Sequence, residues 1–127
     1  MKNPKHSKAI LITVWIAKII LAISFIWGAS LKLFQSIEKL SAMWPWTAEV
    51  PLEVVKFTGI IDLLGGIGII APALLSLNPK ITRITAFAII ALMICAGIFH
   101  ICRGEGSQIG INVFFALLAS FIAWSGK

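Results

Sequence analysis

Four long apolar segments, at residues 9–34, 52–71, 81–101 and 109–124, take up most of this chain and leave few folds open to it. A helix that spans a bilayer needs roughly 20 predominantly apolar residues. The first three segments reach that length and the fourth falls a little short, so its outer end is expected to start near Gln108 or the bilayer to thin around it. Composition agrees: 59% of the 127 residues are hydrophobic and 13% charged, with a mean hydropathy of +0.99. Soluble proteins are about 45–50% apolar. The expected fold is all-α, an integral membrane four-helix bundle that uses the whole chain as one domain.

The net charge of +6 is a matter of topology rather than of nucleic acid, because no basic stripe with interleaved aromatics lies on a soluble surface. With four up-and-down spans, one side carries Lys2, Lys5, Lys8, Lys80, Arg83 and Lys127 without an acidic residue. The opposite side balances Lys32, Lys39, Lys56 and Arg103 against Glu38, Glu49, Glu53 and Glu105. Short cytoplasmic segments collect Lys and Arg, so both termini are expected in the cytoplasm and the protein in the inner (plasma) membrane as a multi-pass component. A cleaved signal peptide fits the N-terminus poorly, since Lys18 interrupts the apolar run and the pattern continues to Phe34.

The segment Gly59 to Pro72, GIIDLLGGIGIIAP, is the most constrained part of the second span. At about 100° per residue, Gly59, Asp62, Gly65 and Gly66 share about a third of the helix circumference. The glycines form a small-residue face on which a neighbouring helix packs closely, and the span is expected to end at Pro72. Asp62 falls near the bilayer midplane, where charges are rare and face the bundle interior. On the first span Lys18, Leu21, Ala22, Phe25, Gly28, Ala29 and Lys32 share a face. Lys18 is about as deep as Asp62, and a Lys18–Asp62 ion pair is the structural expectation, since either charge alone is costly in hydrocarbon.

A second polar level lies closer to the outer surface. Lys32, His100 and Asn112 are expected to line a vestibule there, with Glu49, Glu53 or Glu105 joining from the loops. These three side chains are the candidate ligand-binding residues. On the third span Thr82, Thr85, Ala86, Ile89, Met93, Ala96, Gly97, His100 and Arg103 share one face, with Cys95 and Cys102 on the other. The cysteines are about 10 Å apart in rise, too far to bridge, and their face separates them from His100. One embedded histidine cannot supply two axial haem ligands, and no zinc-ligand motif is present, so no metal is expected.

Residues 35–51 form the longest connection, and Met43-Trp44-Pro45-Trp46 reads as a bend at the outer membrane surface, which either closes the mouth of the bundle or is a plain interfacial connection with an aromatic belt. Residues 36–40 read as an amphipathic extension of the first helix. Arg103-Gly104-Glu105-Gly106-Ser107-Gln108 is a tight hairpin that makes the last two helices antiparallel neighbours. Its glycines lack the strand and spacing of a phosphate loop.

Taken together, these pieces resemble the DoxX-like family of small bacterial membrane proteins. The residues that carry the resemblance are Lys18, Gly28 and Lys32 with Leu33-Phe34, Asp62-Leu63-Leu64-Gly65-Gly66-Ile67-Gly68 to Pro72, Ala96 to His100 with Arg103-Gly104-Glu105, and Asn112. Two positions depart from the family pattern, which has arginine more often at position 18 and glutamate more often at position 62. The resemblance implies a four-helix membrane bundle associated with membrane redox chemistry, since relatives include a subunit of an archaeal thiosulfate:quinone oxidoreductase and a component linked to oxidative-stress defence. The function expected is an accessory or redox-associated subunit with a pocket for a quinone or similar lipophile, in which Lys32, His100 and Asn112 donate hydrogen bonds. Its expected partners are the lipid bilayer, a membrane or peripheral redox protein, and further copies of the chain. The alternatives are a membrane scaffold or assembly partner and, behind it, a small transporter.

Overall fold

The computed structural model describes residues 7–106 and 109–126. The N-terminal tail, Ser107, Gln108 and Lys127 lie outside the described residues, and so do the parts of the charge-asymmetry and hairpin expectations that rest on them. Among the described residues five α-helices follow in order, α1 (Lys8–Phe34), α2 (Ile37–Met43), α3 (Leu52–Leu74), α4 (Lys80–Cys102) and α5 (Ile109–Ser125), with a 3-10 turn at Pro45–Ala48 between α2 and α3. Among the described residues there is no strand. The fold is all-α.

Local signals set the helix ends. Ser7 caps α1, its hydroxyl accepting from the Ile10 amide at 3.2 Å, which satisfies one of the first-turn donors that have no partner within a helix. Ser36 does the same for α2 at 3.4 Å. Residues 36–40 therefore begin a separate helix instead of extending α1, because Ser36 is in extended backbone with ψ 155. Pro51 stands directly before α3 and Glu53 in its first turn, where a carboxylate favours the helix dipole. Contrary to expectation, α3 runs through Pro72 to Leu74. A proline in the last turn costs one backbone bond only, and the chain leaves the helix with the Leu75 and Leu77 amides donating to Ala71 and Pro72 carbonyls.

The four long helices pack in a ring, α1 on α3, α3 on α4, α4 on α5 and α5 back on α1. The α1 face expected from the sequence is the buried one: Lys18, Leu21, Ala22, Phe25, Gly28 and Ala29 are all buried. Toward the end that carries both termini, Val14, Ala17, Leu21, Ile69, Ala86, Ile89, Ala119 and Ile122 fill the centre, each 2% exposed or less. The α1–α3 contact is tight. A Cβ added to Gly66 would lie 2.8 Å from Ile26 Cγ1 and 3.2 Å from the Ala22 carbonyl, and one added to Gly59 would lie 3.0 Å from Lys32 Cβ. At Gly65 the nearest atom would be Phe25 Cδ2 at 3.2 Å. Gly68 approaches Thr85 on α4 closely enough to leave no room for a side chain.

The outside of the ring is apolar. Ile23, Leu64, Ile84, Ile94, Ile98 and Leu117 are among many large hydrophobic side chains more than half exposed, far more than a soluble monomer shows. α1, α3 and α4 are each long and apolar enough to cross a bilayer; α5 is apolar and, at 17 residues, shorter. This is a multi-pass membrane protein.

Candidate functional site

Away from the termini, the ring opens into a cavity of about 670 Å³ between α1, α3, α4 and α5. Its deeper end is closed by Phe25 and Phe115, whose rings meet edge to face at 5.4 Å. Over its outer end runs the segment between α1 and α3, a strap held inward by the fully buried Leu40 and Thr47. Trp44 and Trp46 project from it into the cavity lining. Trp44 packs edge to face on Trp27 at 6.1 Å and Trp46 on Phe99 at 5.9 Å. The expectation that this stretch closes the bundle mouth corresponds to its placement here. Ile23 on α1 and Ile111 on α5 line the cavity and are more than half exposed, so it also opens between those two helices.

Lys32, His100 and Asn112 all line this one cavity. Lys32 Nζ donates to Asp62 Oδ2 at 2.7 Å, with both side chains largely buried, and stands 5.7 Å and 5.5 Å from the ring centres of Trp44 and Trp46. The ammonium thus has a carboxylate on one side and two indole faces on the other, an arrangement favourable to a cation out of water. The expected partner was Lys18, and here the structure differs. Gly59 lies against Lys32 and Leu33, Gly65 against Phe25, and Gly66 against Ala22 and Ile26. That antiparallel register puts Asp62 level with residues 28–29 of α1, about 16 Å along the axis from Lys18. Lys18 is buried near the terminal end and lies 5.6 Å from the Trp15 ring centre. Lys56 adds a second tie across the same seam, its Nζ donating to the Leu33 carbonyl at the end of α1 at 2.6 Å.

A charged cluster encloses the outer rim. His100 Nδ1 is 3.0 Å from Glu105 Oε1, and Arg103 Nε donates to the same oxygen at 2.7 Å. Arg103 also pairs with Glu49 on the strap and lies over the Phe99 ring at 5.4 Å. The Arg103 hydrogen bond, with a smaller one from His100, holds the Glu105 carboxyl below its ordinary range, and the bonds from Glu105 and Glu49 hold the Arg103 guanidinium above its own. Of the three carboxylates expected at this level, Glu105 and Glu49 join the cluster, and Glu53 sits in the first turn of α3.

Asn112 is different from the other two. The residue is 8% exposed, and its Nδ2 has no hydrogen-bond partner among the described residues. Gly28 faces the open space: a Cβ there would have nothing within 4 Å. Cys95 also lines the cavity, so the expected separation of both thiols from the His100 face does not hold for it. A residue five positions before another on a helix is about 140° away, and a wide cavity reaches both. Among the described residues no group of three or more His, Cys, Asp or Glu side chains is placed to hold a metal ion.

The sequence reading missed Lys32 as the partner of Asp62, the Glu49–Arg103 contact and the open space over Gly28. The glycines of α3 carried the first of these, because they identify where α1 comes closest and so set the register. A search of curated proteins and a search of solved structures each found no match. The model of the DoxX-like family matches residues 16–122, a stretch that contains the strap, α3 and α4 entire, most of α1 and α5, and every cavity-lining side chain named above; the chain belongs to the DoxX-like family.

Proposed function

We propose that this protein is an accessory or redox-associated membrane subunit that holds a quinone or a similar lipophile in the cavity beneath the strap. The observation that carries the reading is the cavity itself: about 670 Å³, walled chiefly by aromatic and aliphatic side chains, with a few polar ones, Lys32, Asp62, His100 and Asn112 among them. Ligand sites of roughly 300–1,000 Å³ combine apolar walls with a few placed polar groups in this way. Lys32, His100 and Asn112 are the candidate partners of its headgroup, and the opening beside Ile23 and Ile111 lets a hydrocarbon tail reach the bilayer. In this reading all four long helices span the inner membrane, with both termini in the cytoplasm and the strap on the opposite face. Electrons are exchanged with a membrane or peripheral redox partner.

The test is direct. Protein purified from membranes in a mild detergent is expected to carry quinone detectable by mass spectrometry, and added short-chain quinone is expected to raise its melting temperature in a saturable manner. Absence of both the co-purified quinone and the shift would remove the reading.

A further inference from the structure

The four long helices group into two pairs. α1 and α3 are held together from the middle outward by the contacts of Gly66 and Gly59, the Lys32–Asp62 bond and the bond from Lys56 to the Leu33 carbonyl, and α4 packs along α5. The two joins between the pairs are closed toward the termini and open farther out. α3 meets α4 at Gly68, which lies against Thr85, and at Gly65, where an added Cβ would be 3.7 Å from Ile89 Cγ1. Counting outward from there along the two antiparallel helices brings Thr58 level with Cys95 and Val54 level with Phe99, and all four line the cavity. Val54 stands about three turns from Gly65 on the same face of α3, yet it is 42% exposed, and Cys95 and Phe99 across from it are exposed as well. The join of α1 with α5 repeats the pattern. Beside the Phe25–Phe115 contact, Ile23, Trp27 and Ile111 line the cavity and are each more than half exposed. Cys95 lies about 10 Å and Ile23 about 16 Å inside the outer ends of their helices, at the depth of the lipid chains.

The water side is built differently. There the strap holds both pairs, through Trp44 on Trp27 of α1, and through Trp46 on Phe99 and Glu49 on Arg103 at the end of α4. These contacts have to part before anything passes the strap, whereas the side openings are already free and their walls are apolar. A charged group crossing such walls would leave its hydration behind without replacement. We infer that the cavity is a slot crossing the bundle from side to side, loaded and emptied from the bilayer through two doorways, and that it takes a lipophile whose hydrocarbon chain lies out among the lipids through either one. The inference deepens the proposed function and rests on the same cavity. It adds the route and the requirement for a chain dissolved in the membrane, whatever the headgroup. The strap is then a tie between the helix pairs: loosening it at Glu49 lets the pairs spread and eases exchange without carrying the traffic.

The test follows exchange rates on the full chain in nanodiscs with two probes that quench tryptophan, decyl-trimethylbenzoquinone, whose ring has no free position for a thiol, and methyl dibromostearate, which is no quinone. Trp15→Phe, Trp27→Phe and Trp124→Phe leave Trp44 and Trp46 in the cavity lining as reporters. In that background Ile23→Phe with Ile111→Phe narrows one doorway, and Val54→Phe with Cys95→Phe narrows the other. Leu117→Phe, on the exposed exterior away from both, is the control. Either pair alone is expected to slow uptake and release by at most about twofold, because a parallel route remains. All four substitutions together are expected to slow both by at least about tenfold with affinity held within about threefold, since the helices must then part first. Should the fourfold variant fail to fold, alkylating Cys95 with N-decylmaleimide in already reconstituted Cys102→Ser protein fills the same doorway, and Ile23→Phe with Ile111→Phe completes the closure. Exchange at the unblocked rate with both doorways filled would overturn the inference, because the ligand would then pass the strap. So would the full slowing from one pair alone, or equal slowing in Leu117→Phe. Doorway-dependent entry of the dibromostearate without quinone binding would sustain the inference and remove the quinone reading. Failure of both probes to bind would remove both.

Discussion

The two ends of the bundle are made by the same four helices and are built in opposite ways. Toward the termini, small and branched side chains meet without space, from Val14 and Leu21 on α1 to Ala119 and Ile122 on α5. Toward the strap the helices leave about 670 Å³ open, and charged residues close the rim. Packing at one end holds the helices in the arrangement that keeps the other end hollow. The comparison teaches that stability and function occupy separate levels of one short structure, and that substitutions at the two levels should have separable effects.

The largest effect is expected from the ion pair that joins α1 to α3 beside the cavity. Removing one partner, by Lys32→Met or Asp62→Leu, leaves the other charged and largely buried, at a cost of about 3–5 kcal/mol. The double variant removes both charges and should recover most of that loss. Denaturation of all four proteins in a lipid-like detergent measures the coupling. A double variant as unstable as the sum of the singles would show that the two side chains act independently.

Next in size comes the packed end. Leu21, fully buried, is expected to lose about 2–5 kcal/mol on substitution by alanine, from lost burial and the void left behind. The distinguishing outcome is that Leu21→Ala lowers the melting temperature while leaving ligand affinity within about twofold under conditions where the protein is folded. Loss of binding in step with stability would erase the division between the two ends.

The smallest effect belongs to the outer clasp. Glu49→Gln removes the strap's contact with Arg103 and is expected to speed ligand release by a factor of about two to five, the range of an exposed ion pair, with little change in melting temperature. Acid should act on the same clasp. Because the Glu105 carboxyl is held below its ordinary range in the folded protein, its contribution is complete above that range and is lost as pH falls through the lowered value. Release rates measured from neutral pH downward should rise only at that acidic limit, and a rise near neutrality would point to a different group.

How much of this was legible in the sequence depended on loop length. Few residues of sequence separate α4 from α5, which leaves little freedom in how the two helices align, and His100 and Asn112 line the same cavity. Residues 35–51 join α1 to α3 with enough chain to permit many registers, so depth counted from the helix ends put Asp62 beside Lys18. The close contacts of Gly59 and Gly66 decide otherwise and bring Lys32 to it. The buried face of α1 followed from periodicity alone. The cavity did not, because an empty space has no residue of its own: Gly28 signals it only once a structure shows that nothing stands over it. The strap's tryptophans were recognisable as a bend at the membrane surface, with closure and a plain interfacial connection both open, and their position against Lys32 depends on the three-dimensional course of Pro45–Ala48.

Gly28 also provides the sharpest measurement. A leucine at position 28 would project into space where no atom lies within 4 Å of its Cβ, on a helix that tolerates leucine well. Titrating decylbenzoquinone into wild-type protein and Gly28→Leu in nanodiscs, with melting temperatures taken in parallel, isolates the cavity from the fold. The expected result is saturable binding to the wild type, weakened at least about tenfold in Gly28→Leu at undiminished stability, as for a site whose volume has been filled. Equal affinity in the two proteins, or no saturable binding to either, would contradict the claim that the hollow end of this bundle is a ligand site.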